Sequence, residues 1–212
     1  GSLTIAFNRL GTASRKEGLL DEAKAYHEKA LSLDHSLAIA EETPRALRRL
    51  AISHINLGDI FKEHGEFSKA LPHYEAAMKY NTWLLERLGA PHAKEELAIS
   101  CNRLGDVFYA LGRHSDAKMY YAKALELNSM LAEETKTPAS QRGVASCYQR
   151  NGAVAEAEKC FQDALIYYEK ARNINRLLVE QTDTIDAKKN LAISHDQLGD
   201  VYKAMGNHPD TV

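Results

Sequence analysis

Nine histidines and three cysteines are the residues of this 212-residue chain best suited to hold a metal or act as nucleophiles. His54, Cys101 and His195 stand 47 residues apart, and Phe7 and Tyr148 complete the same register. Ligands of one zinc ion must all lie about 2.0–2.3 Å from it. Equivalent residues on stacked helices are about 8–10 Å apart or more, so this set cannot close on one ion. Its aromatic members indicate a packed core slot instead. Cys101, Cys147 and Cys160 form no C-x-x-C pair and cannot all pair with one another. That favours a reducing compartment over a disulfide scaffold or zinc ribbon. The sequence contains no H-E-x-x-H, Walker-type glycine loop or G-x-S-x-G elbow. Tyr74, Tyr120, Tyr121, Tyr167 and Tyr168 come at helical spacing without a basic stripe, which suits packing rather than base stacking. No catalytic residue, metal or cofactor is expected, and the chain is not read as an enzyme.

Composition excludes further classes. Lys and Arg number 27 against 29 Asp and Glu, a formal net charge of −2, so no basic field favours nucleic acid. Mean hydropathy is −0.42. No apolar run approaches the roughly 18 residues of a membrane span. A cytoplasmic location is therefore expected. Gly1-Ser2 reads as a cloning remnant, which would hide any native targeting signal.

The elements that must position any site follow from an internal repeat. Glycine occupies positions 11, 58, 105, 152 and 199, each 47 residues after the last. A second glycine follows at 18, 65, 112 and 206, with Lys159 in the remaining slot. Alanine recurs at 23, 70, 117 and 164, and again at 30, 77, 124 and 171. Proline falls at 44, 91 and 138, with Ile185 in the fourth place. Four units, approximately 3–43, 44–90, 91–137 and 138–184, and a half unit, 185–212, make a single array.

Each unit reads as two helices. Proline after Thr43, Ala90 and Thr137 sits at the first helical position, where its missing N–H has no partner to lose. From Pro91, the residues Ala93, Leu97, Ala98, Cys101, Leu104 and Phe108 follow spacings of three and four, an amphipathic helix. Turns are expected near Gly18, Gly65, Gly112, Lys159 and Gly206. Second helices are expected near Asp21, Ser68 and Ser115, all capping types, with Pro72 inside a first turn. Glycine and alanine at fixed places remove bulk where helix axes come close. The reading is an all-α chain of about nine helices.

These residues resemble the tetratricopeptide-repeat family. The likeness is carried by Leu57-Gly58, Phe61, Ala70, Tyr74 and Ala77, then Leu104-Gly105, Phe108, Ala117, Tyr121 and Ala124. A weaker third match is Asn151-Gly152, Ala155, Ala164, Tyr168 and Ala171. The family's proline near the end of the second helix is replaced by His35, Thr82, Ser129 and Arg176. The period also exceeds the family's usual 34 residues. Both departures fit longer helices of about 20 residues, as in long-period arrays of bacterial proteins. The resemblance implies a right-handed α-solenoid of antiparallel helix pairs.

It further implies a concave groove lined by the first helices. The matching positions are Asn8, Arg9, Thr12 and Arg15, then Ile55, Asn56, Asp59 and Lys62, then Asn102, Arg103, Asp106 and Tyr109. The fourth unit offers Gln149, Arg150, Ala153 and Glu156, and the fifth Asp196, Gln197, Asp200 and Lys203. Amides can bond both polar groups of a peptide backbone, and arginine can fork onto a carboxylate. The alternative for Asp59, Asp106 and Asp200 is pairing with Lys or Arg of adjacent helices. The leading expectation is a non-catalytic scaffold binding a protein or peptide, with no nucleic acid and no membrane as partner. The other reading is an intramolecular regulatory or peptide-sensing domain of a larger protein. The basic residues of the family's chaperone-tail clamp are not reproduced. The last helix is expected to leave apolar surface uncovered and to self-associate through it.

Overall fold

Thr43 and Thr137 set the start of the helices that follow them. Thr43 Oγ1 accepts from the Ala46 amide at 3.2 Å, and Thr137 Oγ1 from the Ser140 amide at 3.3 Å. Thr184 caps in the same way through Ala187 at 3.3 Å, although Ile185 replaces proline there. The computed structural model describes residues 2–89 and 91–206. Gly1 of the expected remnant, Ala90 before Pro91, and the tail 207–212 lie outside the described residues.

Among the described residues there are nine helices and no strand. They are α1 (Ser2–Lys16), α2 (Leu20–Glu41), α3 (Pro44–Glu63), α4 (Phe67–Leu88), α5 (Pro91–Ala110), α6 (His114–Thr135), α7 (Pro138–Ala157), α8 (Phe161–Thr182) and α9 (Ile185–Gly206). At 20 or 22 residues, α2 to α9 are each roughly 30 Å long.

The second helices begin ahead of the expected caps. Leu19, Glu66 and Arg113 precede them and make no side-chain cap bond. The preceding turn explains this. Gly18, Gly65 and Gly112 have positive φ. The Leu19 and Glu66 amides then reach back to the Ser14 and Phe61 carbonyls at 2.8 Å. That closure ends one helix and aims the next within two residues, leaving no room for a separate cap. Pro72 is consequently the sixth residue of α4 and lies beyond the first turn. Lys159 makes the glycine-type turn at φ 62, with Cys160 bonded back to Ala155 at 2.8 Å. A side chain in that left-handed conformation costs about 1–2 kcal/mol.

The chain forms two compact units, residues 1–111 and 112–212. In the first, α1 to α5 pack each on its neighbour in the chain, and α1 also touches α3. In the second, α6 to α9 pack in the same serial order. The eight recurring alanines (23, 30, 70, 77, 117, 124, 164 and 171) are all fully buried. A Cβ added to Gly58 would lie 2.7 Å from Tyr74 Cε1, and one on Gly152 would lie 2.5 Å from Tyr168 Cε1. Both rings are buried, so neither can swing aside. In the second unit Tyr168 also joins Phe161, Leu165, Leu198 and Val201 in one apolar cluster.

His54 and Cys101 take part in this packing, whereas His195, expected in the same core slot, is exposed. Cys101 is fully buried. Phe7 stacks on Tyr26 with ring centroids 6.3 Å apart, and Tyr148 meets Tyr167 at 6.3 Å. His54 takes the same place against His73, at 5.3 Å, with Nδ1 to Nδ1 3.0 Å. One ring must donate and the other accept, so the contact requires at least one bare Nδ1. Burial first, then the neighbouring His73 and His35, lowers the His54 pKa from 6.5 to about 4. Burial lowers His73 as well, against the opposing charge of Glu28.

Two outcomes are expected. Gly152→Ala should destabilise by about 1–3 kcal/mol through overpacking against Tyr168. Gly199→Ala, with nothing within 4 Å of its added Cβ, should stabilise by up to about 1 kcal/mol from helix propensity. Urea midpoints of the two variants moving the same way would contradict the assignment. The second outcome concerns pH. His54 has a folded pKa of about 4, below its ordinary 6.5, so the unfolded chain binds more protons between those values. Its contribution to stability is full above about pH 6.5 and is lost as pH falls through the folded pKa. Denaturant midpoints should fall over that range, and His54→Phe, the residue type at Phe7, should flatten the fall. Parallel pH profiles for the two proteins would refute this.

Candidate peptide-binding face

Asp59 sits one turn before the end of α3, buried at 4% exposure. Its neighbours come from three other helices. From α4, the Tyr74 hydroxyl donates to Oδ1 at 2.7 Å. Arg103 of α5 places Nε 2.8 Å from Oδ1 and donates from Nη2 to Oδ2 at 3.2 Å. Arg15 of α1 donates from Nη1 to Oδ2 at 3.4 Å. Arg15 also forks onto Glu63, with Nε 2.9 and 3.0 Å from the two carboxylate oxygens. Arg103 reaches Asp106 at 3.8 Å, and Lys62 reaches it at 3.5 Å. Three cations and three carboxylates thus balance across α1, α3 and α5. Burial, with the Asp59 carboxylate beside it, raises the Tyr74 hydroxyl well above its ordinary pKa and keeps it a donor. The hydrogen bond that Arg15 donates to Glu63 is the main cause that raises its pKa.

Five of the expected groove residues, Arg15, Asp59, Lys62, Arg103 and Asp106, therefore belong to one internal network. Amides are drawn inward in the same way. Asn8 receives Asn56 Nδ2 on its Oδ1 at 3.1 Å, lies 3.0 Å from His27 Nδ1 and donates to Ser53 at 3.4 Å. In the second unit Gln149 donates to Gln197 at 3.1 Å and to Ser194 at 3.3 Å, and Arg150 bonds Ser146. Asn102 is half-buried, while Arg9, Tyr109, Asp196, Asp200 and Lys203 are exposed. Of the aspartates read as structural alternatives, Asp59 and Asp106 do pair with adjacent helices.

Two features were not read from the sequence, though 47-residue spacing signals both. Ile5, Ile52, Ile99 and Ile193 share one register of the first helices and are 37–49% exposed. Ser146 fills the remaining place. The second feature is a buried polar pair repeated in four places. Asp34 accepts from Ser53 at 2.7 Å, and Asn81 donates to Ser100 at 2.9 Å. Asn128 donates to Cys147 Sγ at 3.3 Å, and Asn175 to Ser194 at 2.9 Å.

The balance of charge around Asp59 gives a clear expectation. Asp59→Ala leaves two guanidinium groups facing each other and should cost about 3–5 kcal/mol. Asp106→Asn, on the half-buried edge, should cost about 1 kcal/mol or less. Comparable losses for both in thermal or urea unfolding would show that Asp59 is not the hub.

Among the described residues, no three His, Cys, Asp or Glu side chains come together as a metal would require. No described helix is long and apolar enough to cross a membrane. The chain matches models of the tetratricopeptide repeat over residues 95–170 and over residues 5–36. No curated protein matches it. The fold is similar to that of BtubC (BKLC) from P. vanneervenii, with a TM-score of 0.74 at 24% identity, over 99% of this chain and 76% of that one. The TPR-like repeats of a Podosopora anserina kinesin light chain give 0.63 at 18% identity, over 97% and 88%. Apo RapI gives 0.67 at 13% identity, over 98% and 70%. These likenesses show a helical solenoid. Helix pairing, buried small residues and matched repeats agree: the chain belongs to the tetratricopeptide-repeat family.

Proposed function

We propose that the chain is a non-catalytic scaffold whose first-helix faces bind a protein or peptide segment. The observation that carries this reading is the exposed isoleucine register. Ile5 and Ile52 line one cavity together with Asn8, Arg9 and Thr12, so the aliphatic row and the polar positions share a face. An ordered row of exposed branched side chains is apolar surface held in water, and such surface marks a contact site. The internal network sharpens the assignment. Side chains locked around Asp59 position the helices, while Ile5, Ile52, Ile99 and Arg9 are left to meet a ligand. Rigid support beneath an exposed row lowers the ordering penalty of binding. The cytoplasmic location and the four-and-a-half-unit array, approximately 3–43, 44–90, 91–137, 138–184 and 185–212, belong to the same reading.

Peptide display against the whole chain tests it. Selected peptides should bind wild type and lose about tenfold or more in affinity to Ile52→Asp with Ile99→Asp. Far-UV circular dichroism of that variant should be unchanged, because both side chains are exposed. Failure of selection, or binders indifferent to the substitutions, would remove the proposal.

A further inference from the structure

In the first unit the cavity between α1 and α3 has a volume of about 440 Å³, within the range of ligand sites. Its charged residues set it apart from the rest of the repeat. Asp34, 1% exposed, receives Arg49 Nη2 at 2.7 Å and the Ser53 hydroxyl at 2.7 Å. Arg49 also donates to Thr4 Oγ1 at 3.1 Å. In the other units the register of Asp34 holds Asn81, Asn128 and Asn175, and that of Arg49 holds Glu96, Gly143 and Asn190. An ion pair between a buried carboxylate and a half-buried guanidinium thus stands where the repeat elsewhere uses an uncharged amide, and it stands at the wall of this cavity.

Arg9 and Lys16 line the same cavity. Both are exposed, and no acidic side chain pairs with either among the described residues. Arg15, beside Lys16 in sequence, has Glu63 and Asp59. Three cations against one carboxylate leave the lining with a net charge of about +2 by simple count. Both Asp34 oxygens are engaged by protein donors, so its charge is already answered. Ile5, Ile52 and Ala13 supply apolar contact around these cations.

We infer that this cavity is a subsite for an acidic side chain flanked by an aliphatic residue on a bound peptide. The inference rests on the proposed peptide-binding role of the first-helix face. A carboxylate matches unpaired guanidinium and ammonium groups, and neighbouring isoleucines match an aliphatic neighbour. Among the described residues no aromatic ring lines the cavity, which offers no platform there for a nucleotide base.

The test uses the whole chain and labelled peptides of about ten residues in fluorescence polarisation. One peptide alternates Leu and Glu, and its counterpart carries Gln for Glu. The acidic peptide should bind about tenfold tighter or better, and added salt should weaken it. Arg9→Glu with Lys16→Glu, both on the surface, should abolish that preference. Asp34→Asn with Arg49→Gln, which restores an uncharged pair, should reduce it while the fold is kept. Equal binding of the two peptides, or a preference that survives Arg9→Glu with Lys16→Glu, would overturn the subsite. Displacement of the acidic peptide by an equally charged oligonucleotide would overturn it too. Should display-selected peptides still lose affinity on Ile52→Asp with Ile99→Asp, the broader peptide-binding role stands without the subsite. Absence of any selectable peptide would end both.

Discussion

Tyr74 covers Gly58 with its ring and gives its hydroxyl to Asp59, and much of the first unit follows from that one placement. The ring can lie there only because the glycine has no Cβ. The hydroxyl is buried and must find an acceptor. Asp59, the residue after that glycine, supplies one and is thereby buried as a carboxylate. A buried carboxylate in turn requires cationic partners, and Arg15 and Arg103 arrive from the neighbouring first helices. Helix spacing, tyrosine satisfaction and side-by-side registration of α1, α3 and α5 are thus consequences of a single contact. The second unit obeys the same steric rule with different chemistry. Tyr168 covers Gly152, but Ala153 occupies the aspartate register, and the hydroxyl turns to Glu156 at 2.9 Å instead.

The repeated polar pairs do for the other helix contacts what Asp59 does for the first-helix face. Asn81, Asn128 and Asn175 are buried amides on second helices, each bonded to a Ser or Cys of the next first helix. Apolar packing alone tolerates sliding by a turn, whereas a buried amide without its partner is costly to leave unsatisfied. The pairs therefore select register. Gly143 shows how closely this is built: a Cβ there would lie 2.5 Å from Asn128 Oδ1. Small residues in this chain make room for rings at some contacts and for polar groups at others.

Helix number, helix pairing, the glycine turns and the buried alanines were legible because each leaves a residue-type signal at a fixed interval. The starts of α2, α4 and α6 were misjudged because capping residues near them suggested a side-chain cap. The backbone closure after Gly18 and Gly65 performs that task, and it depends on φ rather than on a recognisable donor. Lys159 makes the point from the other side, since its left-handed turn is signalled by the 47-residue register and not by its residue type. Of the groove residues, position was legible and availability was not. Arg15, Asn56 and Arg103 do lie on the first helices, but whether such a side chain meets a ligand or a neighbour depends on Glu63, Asn8 and Asp59. Those partners are 44 to 48 residues away in sequence, and no local pattern couples them. The isoleucine register was periodic yet overlooked, because attention to polar positions treats an aliphatic residue on a helix as core.

A repeat that is consistent with itself offers a physical baseline for reading its exceptions. Some exceptions are compensated where they stand. Thr184 caps α9 without a proline, and Glu156 replaces the missing aspartate beneath Tyr168. The exchange of an asparagine register for Asp34, with Arg49 opposite, is of another kind. An uncharged pair holds the same helix contact elsewhere in the chain, so the ion pair is not required for packing. Desolvating two charges is unfavourable, and a buried pair is weak evidence of added stability. Its distinguishing consequence is electrostatic, because it places a guanidinium at the wall of a cavity that already carries Arg9 and Lys16. Architecture explains the registers that the units share. The residues by which one unit differs at an open surface are where recognition chemistry is to be sought.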